Sequence, residues 1–185
     1  MLMIKDELAP AIPRFRSIAV AEDANLLTDD DFSMFYRQYF DQVYRYLFNR
    51  LGNQQDAEDV CSQTFIQAYK SFASLRDPSR FPSWVFKISR NKLNDFWRRK
   101  KPVVALDDEL GSGSPDLLHS TEQAERHQRL AHLIRDLPEK DQEIIRLRYL
   151  GELNFREISL ILGKSEGATK KSLYRLLAQL QSQME

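Results

Sequence analysis

The sequence predicts an all-α protein of two small helical domains joined by a flexible acidic linker. Three observations carry this reading. Turn-formers and β-branched residues are scarce, with 6 Gly, 7 Pro and only six Val in 185 residues, whereas a sandwich or barrel needs both in quantity. Apolar residues recur at steps of three and four through long stretches before residue 101 and after residue 121, the spacing that lines one face of a helix. Between them, residues 102–120 read PVVALDDELGSGSPDLLHS, acidic and interrupted by Gly, Ser and Pro, the composition of a linker. The expected boundaries are a mobile tail over 1–27, a first domain over 28–101, the linker over 102–120 and a second domain over 121–185.

The elements follow from caps and stripes. Thr28 followed by Asp29, Asp30 and Asp31 reads as an N-cap with an acidic first turn. Phe32, Phe35, Tyr36, Tyr39, Phe40, Val43, Leu47 and Leu51 then keep helical spacing until Gly52 closes the helix. Asn53 and Asp56 open a second helix with the stripe Ala57, Val60, Cys61, Thr64, Phe65, Ala68, Tyr69 and Phe72. Cys61 lies within that stripe, as a packed core thiol does. After a loop over 74–79, Pro82 sits in the first turn of a third helix, where its missing N–H costs nothing. That helix carries Phe81, Trp84, Val85, Ile88 and Phe96 and ends in Arg98-Arg99-Lys100-Lys101. Three such helices can share one core, with Trp84 on its apolar side. In the second domain, Leu130, Leu133, Ile134 and Leu137 form a short stripe. Pro138 and Glu139 start a helix bearing Ile144, Ile145, Leu147 and Leu150, and Asn154 with Glu157 has capping-box spacing.

Formal net charge is zero, from 27 basic and 27 acidic side chains. The zero is a cancellation between blocks. Residues 1–31 carry −4, 32–60 carry −1, 61–101 carry +8, 102–125 carry −6 and 126–185 carry +3. A +8 block ending in four consecutive cations suits a phosphate-facing surface, although cations also favour a helix C-terminus for local reasons.

Several function classes are set aside. One cysteine permits neither an intramolecular disulfide framework nor a Cys-rich zinc site. His119, His127 and His132 lack i,i+4 pairing, so no metal site is expected. No apolar run approaches the ~18–20 residues of a membrane span, and the start lacks the basic region and core of a signal peptide. Gly111 and Gly113 have no Lys-Ser/Thr after them, as a phosphate loop would. With no nucleophile–base pattern, the expectation is a cytoplasmic, non-enzymatic protein without cofactor, metal or membrane insertion.

Residues 154–177, NFREISLILGKSEGATKKSLYRLL, carry the strongest local pattern. A short helix with Phe155, Ile158, Ile161 and Leu162 ends at Gly163, where a left-handed backbone makes a sharp turn. Ser165 can cap the next helix, whose inner face is Leu173, Leu176 and Leu177. Its outer face collects Gly167, Lys170, Lys171, Tyr174 and Arg175. This is the DNA-binding helix-turn-helix pattern, with an αα-hairpin bearing a solvated basic face as the plainer alternative. Lysines there would neutralise phosphates, and Arg175 could also read a guanine edge.

With these residues in place, the chain resembles the extracytoplasmic-function (group IV, sigma-70 family) sigma factors, the specificity subunits of bacterial RNA polymerase. Asp56-Ala57-Glu58-Asp59-Val60 with Thr64-Phe65 and Ala68-Tyr69 is similar to the family's core-binding helix. Phe81, Trp84, Ile88, Arg90-Asn91 and Asp95 before the basic run resemble its minus-ten helix. Leu137-Pro138, Glu157-Ile158, Leu162-Gly163, Ser165 and Gly167 resemble its minus-35 domain. The resemblance covers roughly residues 29–101 and 121–181, in the family's order and spacing. It implies a three-helix sigma region 2 domain and a helix-turn-helix sigma region 4 domain.

It further implies that Asp56, Asp59, Val60 and Gln63 bind core polymerase at the β′ clamp helices. Leu75, Arg76, Lys87, Arg90, Asn91, Arg98 and Arg99 would serve minus-ten DNA, with the 75–79 loop and Asn91 helping to capture a flipped base. Ser165, Gly167, Lys170, Lys171, Tyr174 and Arg175 would serve minus-35 DNA while the domain sits on the β flap. The acidic linker would thread toward the RNA exit path, and an anti-sigma factor is implied as inhibitor. The chain departs from the family at Ser62-Gln63, usually Gln-Glu, at Ser172, usually Arg, and at Thr169, usually Val. These departures bear on core affinity and minus-35 specificity.

Two other functions compete. A stand-alone helix-turn-helix repressor or activator would need a dimer to read a palindrome, and no extra dimerisation helix is visible after Leu180. A protein-only structural adaptor would leave the basic outer face of the last helix without a purpose. Extended, the 19-residue linker reaches at most roughly 65 Å, so the two modules could contact sites more than a helical turn apart. Because acidic blocks can shield basic ones, the isolated chain should bind promoter DNA weakly and with steep salt dependence. Mobility-shift titrations across salt concentrations check this; tight specific binding at physiological salt would favour the repressor.

Overall fold

A computed structural model describes residues 27–100 and 121–184. The tail expected over 1–27, Leu27 apart, the linker and Lys101 lie outside the described residues. Those residues form seven α-helices, α1 (Asp29–Leu51), α2 (Gln54–Ser71), α3 (Phe81–Lys100), α4 (Thr121–Arg135), α5 (Glu139–Tyr149), α6 (Phe155–Leu162) and α7 (Glu166–Met184). Two 3₁₀ turns, Phe72–Ser74 and Pro78–Arg80, join α2 to α3.

Local chemistry sets the boundaries. The Thr28 hydroxyl accepts from the Asp31 N–H at 3.3 Å while the Asp31 carboxylate accepts from the Thr28 N–H at 2.9 Å, a reciprocal capping box. Gly52 stops α1 at φ 67° with its N–H on the Phe48 carbonyl. Asn53 caps α2 by accepting from the Asp56 N–H at 3.0 Å.

In the first domain α1, α2 and α3 enclose Val43, Leu47, Val60, Phe81, Val85 and Phe86, none of them accessible to solvent. Aromatic rings fill one end. Phe35 stacks on Phe81 with centroids 4.4 Å apart, Phe32 meets Phe72 edge-on at 5.2 Å, and Trp84 tilts against Phe81 at 5.7 Å. Trp84 therefore belongs to the margin of the core, as its place on the stripe indicates. Cys61 is buried in the same core, and burial pushes its thiol up to about 12.

The second domain has its own core of Leu137, Ile144, Ile145, Leu173, Leu176 and Leu180, flanked by Leu130, Leu133, Ile134 and Phe155. The short α6 stripe is divided. Phe155 turns to this core, Leu162 packs against both, and Ile158 and Ile161 join the first domain's core together with Leu147 and Leu153. Helix α6 consequently lies against α3. The expectation of two helical units joined by a linker left contact between them open; in the structure they dock through a shared apolar seam. The reason is geometric, since the apolar surface of α6 is wider than α7 alone covers. The docking also reaches Tyr39 of α1, whose hydroxyl is pushed up to about 12 by burial and then by the nearby Glu157 carboxylate of α6.

Leu47→Ala should remove about 2–5 kcal/mol of stability in urea unfolding, because it leaves a cavity in a fully packed site. Cys61 should resist alkylation in native protein at mildly alkaline pH and react promptly once denatured; prompt labelling of native protein would contradict its burial.

Candidate polymerase and promoter surfaces

The first surface is a shallow groove between α2 and α3. Exposed Asp59 and Gln63 stand one helical turn apart on α2, beside Asp56, with Phe96, Arg99 and Lys100 of α3 opposite. Lys100 donates to the Asp56 carboxylate at 3.1 Å and its ammonium lies 5.0 Å from the Phe96 ring centre. The groove thus pairs acid with base across its width, leaving Asp59 as the outward carboxylate. Val60, expected among the partner-binding residues, is fully buried. It faces the core because it occupies the inward position of the α2 stripe, so its role is to hold the helix in place.

The second surface runs along α3 and the turn before it. Arg76, Lys87, Asn91, Arg98 and Arg99 are exposed, with Arg98 ion-paired to Asp95. Lys87, Asn91 and Arg98 share one side of the helix at steps of four and seven. The preceding turn is fastened by Asp77, which accepts from the Ser79 hydroxyl at 2.6 Å and the Ser79 N–H at 3.0 Å. The hydroxyl bond, chiefly, holds its carboxyl below the usual carboxylate range. Two expected residues are not on this surface. Leu75 is buried in the first core and anchors the turn from below. Arg90 points away from Lys87 and Asn91 into the seam, where its guanidinium lies 2.9 Å from Glu143 and donates to the Ile161 carbonyl at 2.9 Å. A cation beside a desolvated carboxylate is held there by that charge, and sequence spacing alone carries no sign of a partner 53 positions away.

The third surface is the α6–α7 helix-turn-helix. Asn154 and Glu157 form the expected capping box, and Gly163 makes the turn at φ 66°. The Ser165 hydroxyl accepts from the Ala168 N–H at 3.2 Å, so it is engaged as the α7 cap. Leu173, Leu176 and Leu180 fix the rotation of α7 by burying one side. On the opposite side Gly167, Lys170, Lys171, Tyr174 and Arg175 are all exposed. The Tyr174 ring leans on Phe155 with centroids 6.1 Å apart, and the Lys170 ammonium lies 6.0 Å from the Tyr174 ring centre. A Cβ at Gly167 would meet nothing within 4 Å, so that end of the helix is open to close approach. Thr169 is buried, its hydroxyl donating to the Ser165 carbonyl at 3.0 Å; the departure from valine at this position is absorbed inside the fold.

Two protein-family models match the chain, sigma-70 region 2 over residues 35–103 and sigma-70 region 4 over residues 127–180. The chain is 34% identical over 149 residues to the ECF RNA polymerase sigma factor SigM of Bacillus subtilis, covering 80% of this chain and 91% of SigM. The chain belongs to the ECF sigma factors. It is also 32% identical over 174 residues to the ECF RNA polymerase sigma factor BldN of Streptomyces coelicolor, covering 89% of this chain and 64% of that relative. Among solved structures it shares a fold with the sigma factor RpoE of Bartonella quintana, crystallised with the anti-sigma factor NepR. That likeness has a TM-score of 0.63 at 19% identity, over 84% of this chain and 97% of that one. Within the ECF sigma factor described here, no helix among the described residues is long and apolar enough to cross a membrane.

Gly163→Ala should cost about 1–2 kcal/mol, because an L side chain disfavours the left-handed backbone of the turn. Thermal unfolding of the variant checks this; unchanged stability would mean that the turn relaxes without penalty.

Proposed function

We propose that this sigma factor binds core RNA polymerase through the α2–α3 groove, with Asp59 and Gln63 as the outward contacts and Asp56 beside them. Its region 2 domain then reads and opens the minus-ten element with Arg76, Lys87, Asn91, Arg98 and Arg99. Its region 4 domain lays α7 in the major groove of the minus-35 element. There Lys170 and Lys171 neutralise phosphates, Tyr174 and Arg175 reach toward base edges, and Gly167 lets the backbone approach. Helix rotation is the observation that supports this reading most directly. The leucines of α7 turn its basic residues outward as one face, and the stripe of α2 does the same for Asp59 and Gln63.

The protein acts by binding, as an initiation factor in the cytoplasm without a catalytic centre of its own. The linker extends toward the RNA exit path. By likeness to the RpoE–NepR complex, an anti-sigma factor restrains this chain as well.

The test is transcription by core polymerase, supplemented with this protein, from the promoter region of its own operon. Factor-dependent transcripts are expected, and failure of well-folded protein to bind core would sink the proposal. Asp59→Arg should abolish core binding without loss of helicity, and unchanged binding would remove that assignment. Arg175→Ala should cost about 1–3 kcal/mol of promoter affinity in the holoenzyme if Arg175 reads a base; an equal loss on unrelated DNA would make it a phosphate contact.

A further inference from the structure

The surfaces above leave one flank of the first domain without a role. Helix α3 and the residues around it meet α1 through Phe35, Tyr39 and Tyr46. On the other flank of α1, Tyr36, Phe40, Tyr44 and Phe48 follow at steps of four, so their rings form a row along the helix. Tyr36 tilts against Phe40 with centroids 5.2 Å apart, Phe40 stacks on Tyr44 at 6.3 Å, and Tyr44 stacks on Phe48 at 6.0 Å. Helix α2 supplies a second row, Glu58, Ser62, Phe65 and Tyr69, at steps of four and three. Phe65 joins the rows, edge-on to Tyr36 at 4.9 Å and tilted to Phe40 at 5.8 Å. Glu58 lies toward the other end, where burial and then its carboxylate push up the Tyr44 hydroxyl.

This aromatic strip is largely open to water. Tyr36 is 39% exposed and Tyr69 51%, Ile66 beside them on α2 is 54% exposed, and Phe40, Tyr44 and Phe48 are only partly buried. Apolar side chains exposed singly are ordinary on a soluble protein, whereas a contiguous apolar strip marks a docking surface. The strip is distinct from the α2–α3 groove. Asp56 and Gln63 face α3 there, and Glu58, Phe65 and Tyr69 lie on the α1 side of the same helix.

The chain itself offers an occupant. Twenty-six residues precede Leu27 in the sequence. Leu27 packs against the first core, and Tyr69 donates to the Asp29 carboxylate at 3.1 Å. The chain therefore leaves the fold beside the Tyr36 and Tyr69 end of the strip. Among the preceding residues, Ile12, Phe15 and Ile18 recur at steps of three, Val20 follows, and Arg14 and Arg16 flank Phe15. The nine residues from Ile18 to Leu27 reach at most roughly 30 Å. The strip, twelve residues of helix from Tyr36 to Phe48, is about 18 Å long. The tether is thus long enough to lay these apolar residues along the rings, with the two arginines near Glu58. A segment tethered this closely has an effective concentration in the millimolar range, so a small apolar match is enough to seat it.

We propose that residues 12–20 dock on the α1–α2 aromatic strip, with Phe15 as the anchor, and form an intramolecular cover for this flank of the first domain. Seated there, the segment takes Tyr36 and Ile66 out of water. It also lies along the edge of the polymerase surface, since Ile66 is one helical turn from Gln63.

A nitroxide at Ser17→Cys in the full chain reads the seat, because buried Cys61 does not compete for label. In NMR spectra the amide signals of Tyr36, Phe40, Ile66 and Tyr69 should lose most of their intensity, while those of α7 keep theirs. Phe15→Ser in the same labelled chain should restore the lost signals. That substitution lies outside the helices, so the folded domains are not at stake. Broadening that is absent, spread evenly over both domains or centred on another face would overturn the proposal, as would broadening undiminished by Phe15→Ser. A mixture of nitroxide-labelled chains at natural isotope abundance with unlabelled ¹⁵N chains tests the rival occupant, a second copy. Full-intensity signals are expected in the mixture, and loss of the Tyr36 and Ile66 signals there would assign the strip to a second copy and overturn the proposal.

Discussion

One carboxylate organises the relation between the two halves of this protein. Glu143 is taken out of water between a tyrosine hydroxyl and three guanidinium groups, two of them supplied by the first domain. A lone buried carboxylate would be far too costly to keep charged, so its position is tolerated only where Tyr46, Arg50 and Arg90 come to meet it. That requirement fixes how α5 sits on α1 and α3, and with it the placement of α6. The cluster also affects its own arginines, since burial lowers the tendency of Arg50 and Arg146 to hold their protons. Their charge is retained because carboxylates face them.

Around that centre the apolar surface is shared. Leu147, Leu153, Ile158 and Ile161 belong by chain position to the second domain and by packing to the first. Burial of such groups draws the domains together, while one Glu143 oxygen and the Arg50 Nε remain buried without hydrogen bonds. Interfaces between domains of one chain commonly have this mixed character and permit relative motion. The surfaces proposed for polymerase and promoter stay clear of the contact. The α2–α3 groove and the basic face of α7 point outward in the docked arrangement, and among the residues assigned to DNA only Arg90 is drawn into the seam.

Much of this was legible beforehand, because it depends on near neighbours in the chain. The caps at Thr28, Asn53 and Asn154, the turn glycines at positions 52 and 163, and the inward stripes of α1, α2 and α7 follow from hydrogen-bonding and spacing rules that act within a few residues. The outward face of α7 was legible for the same reason, since burying Leu173 and Leu176 dictates where Lys170, Lys171 and Arg175 must point. Val60 and Leu75 show the limit of reading by motif. Both fall in stretches that resemble a binding segment, but each is the residue that packs the segment down.

The sequence by itself determined the helices, their caps, the division into two helical units, the blockwise charge and the family to which they belong. Only the tertiary structure decided that the two units dock, that α6 divides its apolar residues between two cores and that Arg90 faces a carboxylate instead of a phosphate. The reason is range. Periodicity and capping act over one or two turns of helix, whereas the Glu143 cluster joins residues 53 to 97 positions apart. Its energy depends on desolvation and mutual geometry, which exist only once the two domains have met.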